Sequence, residues 1–515
     1  MRRRVLLFLL ATTAHAQHID FARIFPPEAT QRDAYALAMT RLDAMRGRIV
    51  KSPSLALERY NAALRAFERL DAYLYLRYAV DTTNVQARNA EDVLSDDFVK
   101  RTAFFFDEAR QVTRMPAAGR WFFENARHAQ PAVGAESLAT SWASDLHDLL
   151  DSEKRPAEDK RELYAFTLLR LARAGNAIAR LRGAEDAAAS AYSRSGLAKS
   201  DVTRLLDGVA AHSDLYKRYR LLRAHRDPLS SPPRFTLDET RTILRDALAP
   251  AGAAYAAQLS KLLDPTAGRI DLGPGEHRKR GGFSKGFPGF VSVFYMHDFD
   301  GSYNAVRIIA HESTHALQRQ LEADRSVPAV YIEGPKFLAE SYAMFHELLL
   351  PDDLAAREND PARKAYFLEQ FLDSKGLTII FVTAAEAAFE QEVYDGVAKD
   401  TIRTADDLDK LALRTAERFG IEKLDWHAIG LMYEDPFYDV NYTVAGLVAL
   451  SMYARWKADP SHFAVGYAAL LANGYTDSPD NLLKRFVGID IHEARFIGTA
   501  LDAARQRMEE LAPLL

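Results

Sequence analysis

The chain has 515 residues, 48% of them apolar and 27% charged, a balance that excludes extended disorder and allows a large packed core. With 66 basic against 71 acidic residues its formal charge is −5, so it carries no global basic field of the kind that nucleic acid requires. Cysteine is absent, which excludes disulfides and a lipid-accepting thiol.

Residues 1–4 are basic after Met1, residues 5–10 are uninterrupted apolar, and the stretch to Ala16 ends in small residues two apart. That order describes a secretory signal peptide cut after Ala16. The apolar run is well short of the ~20 residues needed to span a bilayer. The expectation is an exported chain, periplasmic or secreted, with no stable membrane anchor once the signal is gone. Cleavage removes three arginines and no acid, leaving 63 basic against 71 acidic residues, a formal charge of −8.

From about residue 30 to 225 the pattern is helical. Leu57, Tyr60, Leu64, Phe67 and Leu74 share a face, with Glu58, Arg59, Arg65 and Arg69 between them. Residues 163–181 repeat this with Leu168, Leu169, Leu171 and Ile178. Such stripes are core and carry no chemistry. Asp227-Pro228 through Ser231-Pro232-Pro233 breaks the pattern, and Thr236-Leu237-Asp238-Glu239 has the form of a capping box that opens the next helix. A second break, Gly273-Pro274-Gly275, precedes the basic run Arg278-Lys279-Arg280 and Gly281-Gly282. Residues 290–295 are the one convincing strand in this half, rich in β-branched and aromatic residues ahead of the turn Asp298-Phe299-Asp300-Gly301. Helical patterning then resumes to the end. The fold class is mainly α.

In His311-Glu312-Ser313-Thr314-His315 the two histidines are four apart, so on a helix they stand one above the other on the same face. Asp300 or Ser302 can cap that helix. Two imidazoles at this spacing can hold one zinc ion, and Glu312 is placed to take a proton from an attacking water. A third ligand is needed. Gln318 and Leu321 stand where an extended His-x-x-Gly-x-x-His pattern requires Gly and His, so a glutamate from a following helix remains. Gly334-Pro335 opens such a helix, with Pro351 expected to stop it. Of Glu333, Glu340 and Glu347, the first precedes the helix. Glu340 lies within it among apolar positions and is the expected third ligand. Glu347, two turns on, suits orienting a ligand from behind.

These residues, with Phe337-Leu338-Ala339-Glu340 at this distance, resemble the oligoendopeptidase F and thimet oligopeptidase family of zinc peptidases. Lys279-Arg280-Gly281-Gly282-Phe283-Ser284, Phe389-Glu390, and Pro436-Phe437-Tyr438 with Tyr442 and Gly446 are similar to further family segments. The resemblance is specific over residues 270–510 and diffuse before, where Tyr75-Leu76-Arg77-Tyr78 and Asp81-Thr82-Thr83 carry it. It implies two helical halves around a deep substrate channel, with a small β-element beside the zinc helix: a signal over residues 1–16, a helical domain over 17–270 and a zinc-binding catalytic domain over 271–515. It implies a metallo-endopeptidase for short unstructured peptides, with His311, His315 and Glu340 on one Zn2+. Glu312 is then general base and proton shuttle, and Tyr438 and Tyr442 donate to the oxyanion. The strand at 290–295 is expected to pair with substrate backbone.

Two departures from the family pattern stand out. Thr314 occupies a glycine position, and Leu431-Met432-Tyr433 fill the region of a late histidine, so that either Tyr433 substitutes as a donor or that interaction is absent. His277, His297, His346, His462 and His492 show no partner pattern and read as structural or solvated. A peptidyl-dipeptidase is the alternative enzyme, needing a cation such as Lys285 or Arg280 for a terminal carboxylate. A peptide-binding protein with attenuated catalysis is the alternative outside the enzymes.

Overall fold

Four helices and one small sheet place the candidate site. They are described in a computed structural model, which covers residues 18–116, 119–128, 134–154, 156–224 and 229–515. The signal-peptide reading, together with Asp227 and Pro228, lies outside the described residues.

In the N-terminal part the long helix α1 (Pro53–Val80) buries Leu57, Tyr60 and Leu74, as its stripe requires, and Leu64 and Phe67 pack partly buried beside them. Tyr60 stacks on Phe105 at 4.4 Å and Phe67 on Phe98 at 4.2 Å, so stacked rings join the aliphatic side chains of this smaller core. The largest core runs from Ala143 to Leu511, drawing helices from both sides of residue 270. Thr236 and Glu239 form the expected capping box at the head of Leu237–Ala247.

The sheet has three strands, β1 (Ile270–Asp271), β2 (Gly282–Phe287) and β3 (Phe290–Met296), in the order β1-β3-β2. β3 runs parallel to β1 through Ile270↔Phe294 and antiparallel to β2 through Phe283↔Tyr295 and Lys285↔Val293. The strand legible in the sequence is therefore the central one. Where β1 does not reach, the backbone of Ser292 is closed by side chains: its N–H donates to Gln320 Oε1 at 3.1 Å, and its carbonyl accepts from Arg269 Nε at 2.8 Å. The expectation that residues 290–295 pair with substrate is corrected. The free edge beside the metal helix belongs to β2, whose glycine-rich, polar sequence carries little strand signal.

Helix α2 (Tyr303–Asp324) carries the His-Glu pentapeptide. Ser302, not Asp300, caps it by accepting from the Ala305 N–H, while Asp300 accepts from the Ser302 N–H. Val306, Ile309, Ala310, Ser313, Thr314 and Leu317 turn inward, so His311, Glu312 and His315 fall on the less buried side. Strand β2 crosses this side closely. A Cβ on Gly282 would come within 2.7 Å of Ile308, and only a missing side chain permits the approach.

Helix α3 (Lys336–Arg357) starts directly after Pro335. Gly334 lets the entry pass under the Tyr475 ring, which a Cβ would strike at 2.0 Å. The helix does not stop at Pro351. It continues to Arg357, because every residue from Ser341 to Asp352 is buried and packing outweighs the one backbone bond that proline forfeits. Asp352 anchors that part through the Tyr453 hydroxyl, Lys457 and Arg507. α3 packs most extensively on α5 (Asp439–Ala458), which in turn packs on α4 (Thr378–Ala398).

Candidate metal centre

His311 and His315 from α2 meet Glu340 from α3 with their ligand atoms all within 4.8 Å of one another. The two Nε2 atoms are 3.2 Å apart, His311 Nε2 lies 3.4 Å from Glu340 Oε2, and His315 Nε2 lies 3.9 Å from Glu340 Oε1. Ligands on a tetrahedral ion with bonds of about 2.0–2.1 Å stand about 3.3–3.4 Å apart. The separations therefore suit a zinc-sized ion. Glu340 Oε2 is buried without a hydrogen-bond partner, which a cation at the centre would relieve. Two neutral nitrogens and one carboxylate are also a donor set that zinc favours. Glu333, the sequence alternative, stands apart with its carboxylate near Arg319.

Glu347 stands behind His311. Its Oε1 accepts from His311 Nδ1 at 2.6 Å, which fixes a proton on Nδ1 and turns Nε2 toward the centre. Its other oxygen meets Arg307, and Lys375 Nζ, on the π-helical turn Leu372–Gly376, is 3.5 Å from Oε1. Burial works against the Glu347 charge, but Lys375, His311 and Arg307 outweigh it and hold the carboxyl far below the usual range. For His311 burial again opposes the charge, and the Glu347 and Glu340 carboxylates carry the imidazole up to about 10. Burial holds His315 down to about 3, so without a metal the pair keeps its proton on His311. Arg307 and Lys375 were not found in the sequence. Arg307 is four before His311 on the same face, a signal that was available, while Lys375 reaches the site from a distant turn.

Glu312 projects beside the triad, with Ser284 of β2 donating to its Oε2 at 3.4 Å. Burial raises its carboxyl above the usual carboxylate range. Tyr438 and Tyr442 lie at the head of α5 with ring centroids 5.2 Å apart, and Tyr442 is the one residue between Asp439 and Tyr453 that is not buried. Burial first and the Glu340 carboxylate second raise both phenols, Tyr442 to about 12, so both remain protonated donors. Tyr433 does not join them. It is buried and stacked on His147 at 4.4 Å, its hydroxyl without a partner, and the group that raises it besides burial is Tyr164.

Thr314 has a partner the sequence did not reveal. Its hydroxyl lies 2.8 Å from the Ala310 carbonyl and 2.5 Å from His346 Nδ1, and His346 Nε2 is 3.1 Å from the Tyr467 hydroxyl. Tyr467 donates to His346, His346 to Thr314 and Thr314 to Ala310, a chain buried between α2 and α3. His346 is thus structural, and burial keeps it neutral. Thr314→Val is expected to cost about 1–3 kcal/mol by leaving the His346 N–H unpaired. Urea unfolding reads this, and an unchanged midpoint would remove the chain from the account of stability.

Residues 263–500 match the family model described as Peptidase family M3. Two oligoendopeptidases F of Lactococcus lactis subsp. cremoris are similar in sequence. The chromosomal one is 22% identical over 382 residues, covering 70% of this chain and 62% of that protein's length, and the plasmid one is 20% identical over 498 residues, covering 90% and 80%. Among solved structures, a chain from Chlamydophila abortus overlays with a TM-score of 0.80 at 19% identity, covering 97% of this chain and 98% of that one. The oligoendopeptidase-F of Enterococcus faecium overlays at 0.63 and 17% identity, covering 95% and 100%. These likenesses show a shared, mainly α fold. Residues 263–500, which hold the His311, His315 and Glu340 cluster, match the model of peptidase family M3, and the likeness to the oligoendopeptidases F supports assignment of the chain to that family of metallopeptidases.

Proposed function

We propose that the chain is an exported zinc metallo-endopeptidase that hydrolyses short unstructured peptides, with its chemistry carried by residues 271–515. The convergence of His311, His315 and Glu340, with Glu312 on the same helix, is the observation that carries this reading. His311, His315 and Glu340 would hold one zinc, which when bound supplies a Lewis acid to polarise the scissile carbonyl and the attacking water. Glu312 takes the proton of that water and returns it to the departing amine. Tyr438 and Tyr442 offer neutral hydroxyls to the developing oxyanion. The edge of β2 offers backbone groups to an extended peptide. Lys285 is committed to Asp71 at 3.1 Å and lies over Tyr75, which leaves Arg280 as the cation named above for capture of a terminal carboxylate.

Metal analysis beside a quenched-fluorescence peptide panel tests the reading. A chelator is expected to abolish hydrolysis and lower the melting temperature, and zinc to restore both, since a ligand that binds only the folded chain stabilises it. Hydrolysis that survives complete removal of metal would overturn it. Tyr438→Phe is expected to lower kcat about 10²-fold with zinc content unchanged, measured on the same peptides.

A further inference from the structure

Tyr438 is delivered by a turn that its own sequence disfavours. Phe437 has φ +68°, a left-handed conformation that is an outlier for a bulky residue and that glycine would adopt freely. Such a residue keeps this backbone only where its surroundings over-determine it. The ring is held on one side, edge-on to Tyr192 at 5.6 Å and tilted on Tyr394 at 4.6 Å. Behind the turn the packing is open: a cavity of about 290 Å³, lined in part by Gly175, Ile178, Arg182, Glu434 and Pro436, borders Phe437 itself. Ring contacts alone leave the turn room to relax.

The second hold is polar. The Phe437 N–H donates at 2.9 Å to Oε2 of Glu390, a side chain of α4 that is 1% exposed. Glu390 Oε1 is buried without a hydrogen-bond partner, as is Oδ2 of Asp439, the residue after Tyr438. A buried carboxyl is costly, and this one has a single partner, the amide of the strained residue.

We propose that Glu390 is a positioning residue of the peptidase site: it fixes Phe437 in the left-handed turn, and that turn aims Tyr438 at the metal centre. The inference rests on the reading of Tyr438 given above. What matters is the reach of an acceptor oxygen and not its charge. Burial, with Asp439 nearby, favours the neutral acid, whose carbonyl oxygen still accepts from the amide.

Two variants separate reach from charge. Glu390→Gln keeps an acceptor at the same reach, and kcat is expected to stay within about threefold of the parent chain. Glu390→Asp keeps the carboxyl but withdraws it by about 1.5 Å, and kcat is expected to fall at least about tenfold with KM and zinc content little changed. Amide hydrogen exchange at Phe437 should follow the same order, slow in the parent and in E390Q and faster in E390D, whether or not metal is present. In the Tyr438→Phe background E390D should lower kcat no further, because a residue acting through Tyr438 has nothing left to position. Additive losses, or a fall in E390Q equal to that in E390D, would overturn the proposal. If E390D is too unstable to assay, Glu390→Leu, which has no acceptor, takes its place: Phe437 exchange faster than in E390Q supports the hold, and equal exchange defeats it. An unchanged kcat in Y438F overturns the role of Tyr438 itself, and exchange at Phe437 still decides whether Glu390 holds the turn.

Discussion

Glu312→Gln is expected to bind zinc as the parent chain does and to lose about 10²–10⁴-fold in kcat on peptides. The glutamine keeps the volume and the hydrogen bond that Ser284 can make, but cannot take a proton. Since Glu312 lies outside the His311, His315 and Glu340 cluster, ion affinity should not follow activity down. Metal content and turnover measured on one preparation decide the matter. Turnover within a few-fold of the parent, in protein free of other metals, would sink the assignment of the proton to this residue.

Glu347→Ala is expected to damage both the metal centre and the fold. One fully buried carboxylate faces His311, Arg307 and Lys375. Its removal frees the His311 ring to turn, which costs about 10–100-fold in zinc affinity by analogy with other residues that orient metal ligands from behind. It also strands two cations in a largely desolvated position, a loss of about 3–5 kcal/mol. Chelator competition measures the first and urea unfolding of the metal-free chain the second. The pH dependence gives an independent sign. Because the folded Glu347 carboxyl lies below its unfolded value, its stabilisation is complete above about pH 5 and is lost as pH falls further. The acid limb of the stability profile should therefore be shallower in E347A. Equal limbs in the two proteins would argue that the charge network contributes nothing net.

The His311, His315 and Glu340 cluster was legible because its geometry is local. His311 and His315 are one turn apart on a single helix, and Glu340 is singled out by its phase among apolar neighbours. Tyr438 and Tyr442 came from resemblance, and their spacing at i and i+4 leaves both open at the head of a helix that is otherwise buried as far as Tyr453. What the sequence hid depends on partners far along the chain. Lys375 reaches Glu347 from a π-helical turn, His346 satisfies Thr314 across a helix pair, and Glu390 holds an amide 47 residues away. The edge strand was missed for a different reason. Gly282-Phe283-Ser284-Lys285-Gly286-Phe287 pairs through its backbone and needs small residues to lie against α2, so it lacks the β-branched side chains that announce a strand. Pro351 misled as a helix stop because its penalty is local and the burial around it is not.

The edge of β2 has a consequence for turnover. An open edge invites any extended chain to add to it, a copy of the same protein included. This one is six residues long, its register breaks between Lys285 and Phe287, and it lies against the metal helix. A guest of a few residues can form only a short ladder there, held by several weak bonds acting together. Cutting the guest in the middle divides that ladder between two fragments, each with too few bonds to stay. On the proposed reading, cleavage itself loosens the grip on the product, and the brevity of the strand clears the site for the next peptide.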